Sequence, residues 1–205
     1  MILILNNNDV IAQGSEKLIF RHPRDASKLI KVSKPGYDDK LVKKHRLLSK
    51  VTRFKKFWFF LNQFIEYLYL YEVDPESTKY VEAIRGTVDT NLGLGFVVDA
   101  LLCQDGSIAP TLRQLVVDQQ LTQQHKTALT QMIHCLSQLN VIIRDPSLDN
   151  LVWNESNQCF VLVDGIGNNF TPSFRSIFFR YNQQRNKQKF AKVWKRIKTL
   201  QQAQA

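Results

Sequence analysis

At 205 residues, 44% of them hydrophobic and 11% aromatic, the chain has material for one sizeable core or two small lobes, and its composition excludes a disordered protein. Its formal charge of +10 predicts attraction to nucleotides, nucleic acids, anionic lipid or acidic partners. Cys103, Cys135 and Cys159 form no CxxC pair and the four histidines show no ligand spacing, which argues for free thiols in a reducing compartment and against a zinc site. The first nine residues lack a signal peptide's basic region and long apolar run. The richest apolar stretch, 57–71, is broken by Asn62, Gln63 and Glu66, whereas a membrane span needs roughly twenty apolar residues. The expectation is a cytoplasmic protein.

In chain order, Val10-Ile11-Ala12, Lys17-Leu18-Ile19-Phe20 and Leu29-Ile30-Lys31-Val32 read as three strands. Gly14 lies between the first two, either as a plain turn or as a point where backbone comes close to a ligand. Lys31 stands in the third strand, with Lys28 as competitor for any role there. Residues 37–71 read as mostly helical, with a basic first half at 40–56. Phe64, Leu68 and Tyr71 lie at helical spacing around Glu66 and are expected in the core. Residues 80–84, 86–88 and 95–101 read as strands, the last running into a connector near Asp99 and Ala100. Thr111 and Thr122 open two helices; the second carries Leu129, Met132, Ile133, Leu136 and Leu139 on one face and ends at Asn140, a residue that tolerates left-handed geometry. Leu151-Val152-Trp153 and Phe160-Val161-Leu162-Val163 flank a polar turn, the signature of a hairpin. From Gly165 onward there is no acidic residue, and residues 174–200 interleave aromatics with lysines and arginines.

The hairpin carries the chemistry. It returns Asp164 close to Asn150, five residues beyond Asp145, and hard oxygens so placed suit Mg²⁺ with substrate phosphate completing its shell. Gly165 then lets the backbone turn away. Taken singly, Asp145, Asp149 and Asn150 also read as turn formers before a strand. Asp145, Asn150 and Asp164 together are the set phosphoryl transfer requires: an Asp beside the attacking hydroxyl, an Asn for metal, and a second Asp for the Mg²⁺ of the nucleotide.

Strand lysine, helix, connector, helix and the two acidic loops, in this order, resemble a protein kinase. Three segments resemble more narrowly the YrbL family, the PhoP regulatory network proteins of bacteria. They are Gly14-Ser15-Glu16-Lys17 with His22-Pro23 and Ile30-Lys31-Val32; Arg85-Gly86-Thr87-Val88-Asp89-Thr90-Asn91-Leu92-Gly93-Leu94-Gly95; and residues 145–150 with Val163-Asp164-Gly165-Ile166-Gly167-Asn168. The resemblance implies an α+β, protein-kinase-like bilobal fold, with a small β-rich lobe at 1–100 and a reduced, mainly helical lobe at 101–205. It implies ATP and Mg²⁺ as cofactors and an acceptor that the sequence does not name. The implied roles are Asp145 at the acceptor hydroxyl, Asn150 and Asp164 on metal, and Lys31 on phosphate. Glu66, with Glu72 as alternative, would hold Lys31; Gly14 would lie near phosphate, and Asp99 and Ala100 beside adenine. Ile143 replaces the usual loop histidine, and one glycine stands where the Gly-rich loop has three.

A second reading keeps the fold but not the turnover: a pseudokinase whose basic surfaces engage an anionic partner. A third uses 174–200 to bind a membrane surface or nucleic acid. Sequence-specific nucleic acid recognition is not expected. The commoner fate of such a stretch is a final helix with aromatics packed inward and a solvated basic face.

Overall fold

The computed structural model describes residues 2–14, 16–34, 57–167 and 174–204. The basic segment at 40–56 and Asn168 lie outside these. The chain is α+β and divides into two compact units, Met1–Leu61 with Ala83–Ala100, and Asn62–Glu82 with Leu101–Ala205.

The first unit is an antiparallel sheet of β1 (Val10–Gln13), β2 (Lys17–Arg21), β3 (Lys28–Ser33), β4 (Ile84–Thr90) and β5 (Gly93–Asp99), in the order β1-β2-β3-β5-β4. β3 is central, so Lys31 is paired with Ile19 on one side and Phe96 on the other. Leu3, Leu5, Phe20, Ile30 and Val32 form the core. Asn91, between β4 and β5, fixes the N-terminal segment: its Oδ1 accepts the Leu5 amide at 2.8 Å and its Nδ2 donates to the Leu5 carbonyl. Phe60 stacks on Phe96, centroids 3.9 Å apart, and the Lys17 ammonium lies 3.8 Å over Phe59.

The helix α1 (Trp58–Val73) passes from one unit to the other. The sequence reading groups residues 1–100 together; the structure assigns Asn62–Glu82 to the second unit because Leu70, Tyr80 and Val81 belong to its core. The inward face of α1 differs from expectation as well. Phe64, Leu68 and Tyr71 are exposed, and Asn62, Gln63 and Glu66 are buried. Gln63 donates to Glu82 at 2.8 Å and Glu66 accepts the Ile142 amide at 2.7 Å, so polar groups hold this face where hydrophobic ones were expected. After α1, Pro75–Tyr80 forms a 3-10 helix, not the expected strand start, with Pro75 at its first turn.

The second unit continues with α2 (Leu112–Val117) and α3 (Gln123–Gln138), whose N-caps Thr111 and Thr122 both form capping boxes. Buried Leu129, Met132 and Leu136 face the core. α3 stops at Gln138 and Leu139 turns extended, so Asn140 is not the left-handed cap. β6 (Leu151–Asn154) and β7 (Cys159–Leu162) form the hairpin. α4 (Phe174–Ile177) and α5 (Phe179–Gln202) complete the unit, with Phe190, Val193 and Ile197 in the core. Phe178, Phe179 and Tyr181 are exposed, against the expected inward packing.

Candidate functional site

In the second unit Asp145, Asn150 and Asp164 sit on one hydrogen-bonded frame. The Gly165 carbonyl accepts the amides of Arg144 (2.6 Å) and Asp145 (3.0 Å), and the Gly167 amide donates to Ile142 O at 2.8 Å. The Val163 amide donates to Asn150 O at 2.9 Å, and the Asn150 side-chain Nδ2 to Asp145 O at 3.0 Å. With Nδ2 so engaged, the Asn150 Oδ1 is the atom a hard cation would take. Asp164 Oδ1 accepts the Gly165 amide at 2.6 Å and lies 3.7 Å from the Arg144 guanidinium. Asp145 is exposed. On the far side of the loop Arg113 forks onto Asp149, 2.6 and 2.9 Å, and its amide donates to Leu148 O.

The segment leading into this loop is buried and extended, so its peptide groups need partners from elsewhere. The C-terminal helices supply them. Asn186 accepts the Ile143 amide and donates to Val141 O, and Asn182 donates to the carbonyls of Asn140 and Val141. Arg175 donates to Ile143 O at 3.0 Å and to both Asn182 and Asn186. Lys189 donates to the carbonyls of Ile143 and Arg144. Burial, with Arg175 and Arg185 adding repulsion, draws the Lys189 ammonium down to about 8. Burial likewise pushes the Glu66 carboxyl up to about 7, against the Ile142 amide and Arg175, which favour its charge.

In the first unit Lys31 is 2% exposed. Its competitor Lys28 is committed to Asp99 at 2.6 Å, and Arg85 forks onto the same carboxylate. Burial alone would raise Asp99, but Arg85 and Lys28 outweigh it and hold it below its ordinary value. The Ala100 amide donates to Ser27 O at 2.8 Å, so this N–H serves the sheet. A Cβ at Gly14 would stand 3.8 Å from Lys17 O, ordinary contact, so the fold itself does not require glycine there.

The family model described as PhoP regulatory network protein YrbL matches residues 3–198. The chain belongs to the YrbL family. No curated protein matches this YrbL-family chain. Among solved structures it is similar to the apo form of PpkA-294, with a TM-score of 0.47 and 17% identity over 76% of this chain; it spans 56% of that one.

In this YrbL-family chain the Asp-Gly-x-Gly stretch has a steric basis. Gly165 (φ +80°) and Gly167 (φ +87°) both adopt left-handed geometry, and a Cβ would fall 2.2 Å from Asp145 O in one case and 2.8 Å from the Asn62 backbone in the other. The clamp of Arg175, Asn182, Asn186 and Lys189 is not expected from the sequence, whose tail reads as a basic face over an apolar one. A signal was present: Asn182 and Asn186 continue at helical spacing the stripe of Phe190, Val193 and Ile197. Paired amides on a buried stripe imply backbone partners. The donor set fits Mg²⁺ in part: Asn150 and Asp164 are hard oxygens, but among the described residues no group of three or more Asp, Glu, His or Cys could hold an ion. Such a site needs a substrate's phosphate oxygens to complete it. Among the described residues no helix is long and apolar enough to cross a membrane.

Proposed function

We propose that this YrbL-family protein is a phosphotransferase that uses ATP and Mg²⁺ on a hydroxyl acceptor. The observation that carries the reading is the shared backbone frame of the Asp145 loop and the Asp164–Gly165 turn. Asp145 would orient the acceptor hydroxyl and take up its proton. Asn150 Oδ1 and the Asp164 carboxylate would hold Mg²⁺, which when bound offsets charge on the transferred phosphoryl group. Lys31 would pair with nucleotide phosphate, and Gly14 would let backbone approach it. Glu66 is proposed as the residue that positions Lys31. With Ala100's N–H spent on Ser27, adenine recognition near Asp99 and Ala100 would fall to carbonyl groups. Positioning and fixed charge supply the catalysis, since phosphoryl transfer asks little covalent work of a protein.

The test is thermal stability with ATP, with Mg²⁺ and with both. Since among the described residues no acidic cluster could hold the ion alone, Mg²⁺ by itself should give no shift. ATP with Mg²⁺ at about a hundred times Kd should stabilise by about 2.7 kcal/mol. Asp164→Ala should lose that response; Asp145→Ala should keep it and lose only turnover. No shift at millimolar nucleotide would refute the reading. The alternative, a silent binding module for an anionic partner, draws on the single glycine between β1 and β2; a nucleotide shift without ADP production would favour it.

A further inference from the structure

The outer face of α5 takes no part in the proposed phosphoryl transfer. Its inner face is spent on the core and the catalytic segment. Outward stand Arg180, Arg185 and Lys187 on its first half and Lys192, Lys195, Arg196 and Lys198 on its second, all exposed. The sequence has no acid from Gly165 to its end, so the helix carries no counter-charge of its own. At 24 residues α5 is about 36 Å long, with cations along the whole of it. At its N-terminal end Ile177, Phe178, Phe179 and Tyr181 are 64%, 55%, 42% and 48% exposed. Toward its C-terminal end Lys192, Lys195, Arg196 and Thr199 line a groove of about 500 Å³ floored by Leu148 and Leu200 and bordered by Arg113. Asp149 beside this groove is already held by Arg113, which leaves the α5 cations to an outside anion.

We propose that this face docks the protein on an anionic lipid bilayer. The cations meet lipid phosphates, one of which suits the groove with its cationic rim and apolar floor. The four apolar side chains enter the headgroup layer. Contiguous exposed apolar groups beside a cationic helix face are the makings of an interfacial contact. Single-stranded nucleic acid would call for aromatic platforms spaced among the cations for stacking. Here the apolar groups gather at one end and include Ile177, which has no π-face.

The experiment is co-sedimentation of the full chain with phosphatidylcholine vesicles, with and without phosphatidylglycerol, at low and physiological salt. Binding should require the anionic lipid and weaken as salt rises. The variant Lys192→Gln/Lys195→Gln/Arg196→Gln should bind about a hundredfold less tightly, roughly fivefold per cation. The variant Phe179→Ser/Tyr181→Ser should keep low-salt binding and lose the part that survives physiological salt. Circular dichroism establishes that each variant is folded, as expected for changes to exposed side chains. The proposal is overturned if the wild-type chain ignores anionic vesicles at low salt, or if the triple variant binds them equally well. It is also overturned if single-stranded RNA, and not vesicles, is bound and lost in the same variants.

Discussion

Replacing Gly165 by alanine tests the frame on which the proposed chemistry rests. At φ +80° a non-glycine residue costs about 1–2 kcal/mol. Its Cβ would also lie 2.2 Å from Asp145 O and 2.8 Å from Asp145 C, a clash with backbone that no rotamer change relieves. The Asp145 loop and the glycine must separate, which puts at risk the two bonds from the Arg144 and Asp145 amides to Gly165 O. At about 1 kcal/mol each, these bring the expected loss to about 3–4 kcal/mol, a large part of the 5–15 kcal/mol typical of a whole protein. Urea unfolding followed by circular dichroism should show a lower midpoint at nearly unchanged slope, and the ATP–Mg²⁺ thermal response should vanish. A loss below about 1 kcal/mol with the nucleotide response intact would refute the reasoning, because it would mean that the two loops are not fixed to each other through this residue.

Gly14→Ala is the contrasting case: the methyl group meets only ordinary contacts, so urea stability should stay within about 0.5 kcal/mol while ATP affinity in the thermal assay falls. Equal affinity would remove Gly14 from the phosphate site. Glu66 should make stability depend on pH: with its folded pKa near 7 against 4.5 unfolded, the folded state holds the extra proton between these values, so stability falls as pH rises from 4.5 to 7, by about 3 kcal/mol in all. Glu66→Gln should flatten this window in urea titrations at several pH values; parallel profiles would show that a cation compensates the carboxylate throughout. Asn182→Ala removes the buried partner of Asn140, Val141 and Arg175, and should cost about 3 kcal/mol and raise amide exchange across 141–143. Unchanged exchange there would mean that the clamp does not hold the segment.

Strands and loops were legible where local chemistry decides them. The hairpin of β6 and β7 is written in alternating apolar and polar runs, Thr111 and Thr122 mark helix starts by their hydroxyls, and the order of Asp145, Asn150 and Asp164 is fixed by the length of that hairpin. What failed was inference from polarity to burial in α1. Phe64, Leu68 and Tyr71 have the spacing of a core stripe, yet the neighbours of this helix are peptide groups and acids, and these select Gln63 and Glu66 instead. The same cause hid the clamp. Arg175, Asn182, Asn186 and Lys189 answer to unpaired carbonyls and amides of a segment some forty residues away, and no local pattern carries that demand.

The clamp also sets a schedule for the newly made protein. Asn186 reaches back 45 residues to Val141 and Lys189 reaches back 46 to Ile143, so a ribosome completes the Asp145 loop well before it makes the side chains that hold the loop. Contacts so distant in sequence close late. Until α5 emerges and docks, the frame between the Asp145 loop and the Gly165 turn can form, but the carbonyls of Val141 and Ile143 behind it still lack the side chains that hold them.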